Sequence, residues 1–151
     1  MAAADYAAIR DQVESVLTSD ARTSTARIYV EEEPQFGLAD AQQCIAVFTN
    51  RRRAPAGDQV LGAGLRTRFA LELLFVVVSF NLESYRKACD ERDALLGNLE
   101  LVLMANRTLN GTVATLYLDG GEFFSARDPQ SNTFVAVAEV NVVAEVSAIN
   151  T

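Results

Sequence analysis

Residues 68 to 80 read Arg68-Phe-Ala-Leu-Glu-Leu-Leu-Phe-Val-Val-Val-Ser-Phe80, and a long amphipathic stretch continues from them to residue 106. The odd positions Phe69, Leu71, Leu73, Phe75 and Val77 are all apolar, so a strand here buries one face along its whole length. The even positions begin polar or small (Arg68, Ala70, Glu72) and then turn apolar (Leu74, Val76, Val78, Phe80). That change predicts cover on both faces of the second half, as in a central strand or one that enters a subunit contact. No Pro or Gly breaks the run, and Val, Phe and Leu suit a pleated, packed surface.

The spacing changes to three and four immediately afterwards. Tyr85, Ala88, Cys89, Arg92, Leu95, Leu96, Leu99, Val102 and Leu103 form one stripe of a predicted helix over 82–105. Lys87, Glu91, Asp93, Asn98 and Glu100 fall largely off that stripe, and Asn81 or Ser84 is placed to cap the first N–H groups. Arg92 interrupts the stripe; its stem can pack while its head reaches a carboxylate. A helix this long with one apolar stripe belongs on a sheet.

Upstream, residues 41 to 49 (Ala-Gln-Gln-Cys-Ile-Ala-Val-Phe-Thr) read as a strand, and residues 27 to 31 as a shorter one ended by Glu31, Glu32, Glu33 and Pro34. Residues 5 to 17 predict an amphipathic helix with Asp5 as its N-cap, joined to the first strand by a polar Ser- and Thr-rich loop. Residues 50 to 67, with Pro55, Gly57, Gly62 and Gly64, read as a long loop from which the strand at 68 returns antiparallel. Downstream, Asn110-Gly111 marks a turn, residues 112 to 118 a strand, Asp119-Gly-Gly a second turn and residues 120 to 132 a loop. The final strand runs from Phe134 to Ala148, with alternate residues buried, beside the strand at 68 to 80. The expected order is α-β-β-β-α-β-β. It is an α+β fold: one domain over 1–151, a mostly antiparallel sheet of about five strands with two helices packed on it.

With 151 residues, half of them apolar, the chain is long enough for a real core. The longest apolar run, Leu73 to Val78, is far too short to span a membrane. The start of the chain has neither a charged n-region nor an apolar h-region, which predicts no signal peptide and a reducing, cytosolic site of synthesis. Cys44 and Cys89 are expected as buried small apolar residues rather than a bridge.

A net charge of −7 argues against general nucleic-acid binding. The charge is uneven, however: Arg51, Arg52, Arg53, Arg66 and Arg68 stand within 18 residues that hold only Asp58 as a counter-charge. Three readings of that basic stretch stand side by side: a solvated loop tip, a contact for acidic patches on another copy or partner, and a phosphate contact. Carboxylates on another subunit come first and the DNA backbone second. The Glu31–Glu33 triplet reads chiefly as a solvated strand end.

No histidine is present, which removes the commonest general base, the commonest zinc ligand and every Ser-His or Cys-His pair. The two cysteines lack CxxC spacing. Gly57-Asp-Gln-Val-Leu-Gly62 has the glycine spacing of a phosphate loop, but Ala63-Gly64 stands where Lys and Ser/Thr are needed. Asp119, Glu122 and Asp128 are the candidates for an acid–base pair or a hard-cation site, with ordinary turn chemistry the stronger reading. No catalytic residue, metal ligand or cofactor is assigned.

In its order of elements, from Asp5–Leu17 through the strands at 27, 43 and 68, the helix Leu82–Ala105 and the last two strands, the chain resembles the tail terminator (tail completion) proteins of long-tailed bacteriophages. The resemblance spans almost the whole chain and is one of organisation. It implies a virion protein: a hexameric ring that caps the tail tube, stops its polymerisation and meets the head-side connector. It implies three partners, namely further copies of the chain, the tail tube protein and the neck, with DNA passing through without specific binding. A basic loop facing an acidic body is compatible with a head-to-tail ring. Glu31, Glu32, Glu33, Glu139 and Glu145 are candidates for an acidic surface or channel lining that repels passing DNA. The alternatives are another phage neck or head-completion protein, a small hydrolase using Asp119, Glu122 and Asp128, and a monomeric ligand-binding domain.

Overall fold

A computed structural model describes residues 5–34, 43–53, 66–128 and 133–149. The elements are α1 (Tyr6–Ser19), β1 (Arg27–Val30), β2 (Gln43–Arg53), β3 (Arg66–Asn81), α2 (Tyr85–Ala105), β4 (Thr115–Asp128) and β5 (Thr133–Ile149). They make one five-stranded sheet in the order β1-β2-β3-β5-β4, antiparallel except that β1 runs parallel to β2. The expected α+β order is the observed one.

The long apolar strand, β3, is the centre of the sheet. It pairs with β2 on one side and along its whole length with β5 on the other. Phe69, Leu71, Leu73, Phe75 and Val77 are all buried in the main core. Ile9, Val13 and Leu17 of α1 and Leu95, Leu99, Val102 and Leu103 of α2 meet them there, so both helices lie on this one face. Each such side chain contributes roughly 1.5–3 kcal/mol on leaving water, which far exceeds what helix propensity alone supplies. On the opposite face Cys44, Ala46, Tyr29 and Val78 are buried, with Phe48, Val76, Phe80, Val135 and Val137 half-buried around them. The second half of β3 is thus apolar on both faces because it is central, with β2 and β5 supplying neighbours above and below the sheet.

The helix starts follow from the caps the sequence offers. The Asp5 side chain accepts from the Ala8 N–H at 2.9 Å, and the Ser84 hydroxyl accepts from the Lys87 N–H at 3.1 Å. Asn81 also contributes, since its Oδ1 accepts from the N–H groups of Glu83 and Ser84 and forms the tight link from β3 to α2. Glu91, off the apolar stripe, ties the two elements together: its carboxylate accepts from the Ser79 hydroxyl at 3.0 Å and from the Asn81 amide at 3.1 Å. After α2 the chain reverses through Leu109, Asn110 and Gly111, all at positive φ, at the turn expected from Asn110-Gly111.

Two differences of boundary bear on the candidate surfaces. β2 continues through Arg53, four residues beyond the expected end, so Arg51, Arg52 and Arg53 belong to a paired strand rather than a loop. β4 runs to Asp128, so residues 120 to 128 are strand where a loop was expected. The Asp119-Gly120 step is a β-bulge within it: Leu118 faces Val142 and Gly121 faces Val140, leaving Asp119 and Gly120 opposite Asn141 alone. The Gly57–Gly64 stretch and most of the expected 50–67 loop lie outside the described residues.

Candidate assembly surfaces

A bulge in β2 decides where the arginines go. Thr49 faces Leu73 but Arg51 faces Glu72, so Asn50 is an extra residue and the alternation of β2 slips by one. Without it Arg51 would point at the helices. With it, Arg51 projects on the opposite face, and its Nε donates to Glu72 Oε2 at 3.0 Å. Glu72 is buried while Arg51 remains largely exposed, so the pair anchors a carboxylate and still presents a guanidinium. Arg52 lies on the helix face, where it donates to the Tyr6 hydroxyl at 3.0 Å and its guanidinium sits 5.4 Å from the Phe69 ring. Arg53 pairs in register with Ala70, Arg66 with Ile149 and Arg68 with Ser147, so all five arginines occupy the adjoining ends of β2 and β3.

The expected acidic residues do not form one patch. Glu31, at positive φ, turns back on the sheet: its Oε1 accepts from both the N–H and the hydroxyl of Thr49, locking the end of β1 onto β2. Glu32 and Glu33 are exposed beyond it. Glu139 and Glu145 are half-buried on the sheet face away from the helices, opposite Val76 and Ala70 of β3. On its other side Glu139 faces Glu122 of β4 directly, two like charges across one pair of strands.

Asp119, Glu122 and Asp128 do not share a centre. Nine residue steps of strand separate the first from the last, roughly 30 Å at about 3.3 Å per residue. Among the described residues no group of three His, Cys, Asp or Glu side chains is placed to hold a metal. Burial pushes the Cys44 thiol up to about 11, as suits a small core residue, and Cys89 is a free thiol on α2. Among the described residues no helix is long and apolar enough to cross a membrane.

One surface lay beyond the reach of the sequence reading. Phe123 and Phe124 are exposed on β4, and the Arg92 guanidinium stacks 4.8 Å from the Phe123 ring while its Nε donates to Asp93 at 2.9 Å. Arg92 is nearly buried, so the stem packs and the head reaches a carboxylate as expected, with an aromatic platform added. Beside it is an open recess of about 340 Å³ lined by Arg92, Asp93, Leu96, Gly97, Glu100 and Phe123. The sequence held no clear signal for it, since residues 122 to 128 do not alternate and β3 already supplies the last strand with a partner of equal length.

No described protein family matches the chain, and no curated protein sequence does. Among solved structures it is similar to a chain of the virion of a native gene transfer agent particle. That likeness has a TM-score of 0.60 at 13% identity, over 95% of this chain and 100% of the other. It is also similar to the sheath/tube terminator of an extracellular contractile injection system in the extended state. There the TM-score is 0.48 at 10% identity, over 99% of this chain and 60% of that one. The first likeness shows a fold shared over nearly all of this chain and the whole of the other.

Proposed function

We propose that this chain is a structural virion protein of the tail-terminator type: copies form a ring on the head-proximal end of a phage tail tube, end its growth and join it to the neck. The observation that carries this reading is the full-length fold likeness to a chain of a gene transfer agent virion. The tail-terminator order of elements read from the sequence points the same way.

The surfaces suit such a role. A ring made by head-to-tail contacts needs two different, complementary patches on each copy. The Arg51–Arg53 and Arg66–Arg68 strand ends provide one, on a body whose excess charge is negative. Six copies close the ring. The sheet face without helices, bearing Glu139 and Glu145, then lines a channel whose carboxylates keep DNA moving. No catalytic step is assigned to the chain.

Sedimentation of the purified chain, alone and mixed with tail tubes, tests the reading. The expected result is a ring in solution or on tube ends, weakened when Arg51, Arg52 and Arg53 are all replaced by Ala while the unfolding midpoint stays close to wild type. A chain that stays solitary under every condition, tubes included, defeats it. If assembly is untouched and only DNA binding falls, the arginines are phosphate contacts instead.

A further inference from the structure

We infer that the outer edge of β4, together with the recess between Phe123 and α2, is the surface that receives the arginine-bearing β2–β3 end of a second copy of this chain. The inference rests on the ring reading and assigns the other half of its contact.

β4 closes one side of the sheet, so over 14 residues its outer backbone groups have no strand partner among the described residues. Long edge strands invite another chain unless charge, Pro or a short length blunts them. β1, at the other edge, is only four residues long. β4 is not blunted. Phe123 is 62% exposed and Phe124 44%, one on each face of the strand. Arg92 holds Phe123 in place from beneath, so the ring is positioned before any partner arrives.

Charge selects the occupant. Asp93 and Glu100 line the recess, Asp119 stands at the bulge, and Glu122 is set against Glu139. A cation that reaches Glu122 at the edge relieves its repulsion from Glu139, which stays on the channel face. The exposed arginines described at the β2–β3 end are Arg51, beside Glu72 on the helix-free face, and Arg52, beside Tyr6 on the helix face, and a guanidinium fork matches carboxylates well. Pairing β4 with β4 of another copy would instead bring Asp119 and Glu122 towards their own duplicates. The contact is therefore between unlike surfaces, the kind that closes a ring rather than a two-fold dimer.

Two substitutions in the full chain test this. Glu122→Lys places a cation opposite Glu139 and so leaves the fold at least as stable. Phe123→Ser changes a side chain that is mostly in solvent. Each is expected to weaken self-association at least about tenfold in sedimentation over a concentration series. The denaturant midpoint of Glu122→Lys is expected no lower than wild type, and that of Phe123→Ser lowered only by the loss of one cation–π contact. In a chain carrying Arg52→Lys and Arg53→Lys, carbodiimide coupling between copies is expected to join these lysines to Asp93, Glu100, Asp119 or Glu122. Wild-type rings with undiminished assembly of Glu122→Lys overturn the inference and leave the ring reading standing. Coupling that maps to Glu32 and Glu33 does the same, whereas a two-fold dimer through β4 overturns both the inference and the ring reading. A wild-type chain that never associates, even on tail tubes, removes the ring reading and this inference with it.

Discussion

Gly121 shows how little room the sheet leaves at its second bulge. A Cβ built there would fall 1.8 Å from the carbonyl oxygen of Glu139, a backbone atom that cannot step aside. Its neighbour Gly120 sits at φ 86°, in the left-handed region that a side chain rarely enters. The pair reads as turn chemistry in the sequence, yet here it lets β4 bulge and still stay paired with β5. Gly121→Ala is expected to destabilise the protein by about 1–3 kcal/mol or more, through forced movement of the β4–β5 ladder. Denaturant unfolding checks it; a midpoint equal to wild type would mean the strands separate there at no cost. The arginines are a residue-scale lesson of another kind. Their charge is plain in the chain, but one extra residue, Asn50, sends Arg51 to Glu72 and Arg52 to Tyr6.

At the scale of elements, β3 and α2 account for most of the architecture. Period-two and then near-3.6 spacing were both legible because each depends only on neighbours along the chain. Leu99 lies fully buried at the middle of the α2 stripe, inside the cluster that joins both helices to the sheet. Leu99→Ala should cost about 2–5 kcal/mol, seen as a lower unfolding midpoint. An exposed position on the same helix, Leu101, should cost far less when changed likewise. β4 was legible only in its first half, since Gly120 and Gly121 interrupt the pattern and residues 122 to 128 offer no alternation of apolar and polar types. Its pairing to β5 is what makes it a strand.

For the whole molecule, the gathering of arginines at the β2–β3 end of an acidic chain is the property that bears on the proposed assembly. The ion pairs of Arg22 with Asp20 and Lys87 with Glu83 are exposed and add little to folding. Contacts between copies built on arginine and carboxylate are screened as ionic strength rises. Raising salt from about 0.05 to 0.5 M should therefore dissociate assemblies while the unfolding midpoint moves little. Sedimentation and thermal unfolding over the same salt series separate the two effects. Assembly that tightens with salt would place the apolar edge, not the charges, in control.

By itself the amino-acid sequence determined the element order, the buried faces of β3, β5 and both helices, and the presence of a basic stretch on an acidic chain. These come from local periodicity and from counting charges. Tertiary structure alone decided that Arg51, Arg52 and Arg53 stand in a strand, that Glu31 is a tie rather than free acid, and that Glu122 faces Glu139. It also set Phe123 on Arg92. The physical reason is register: two bulges shift which residues face one another, and partners chosen across a sheet lie many residues apart in the chain.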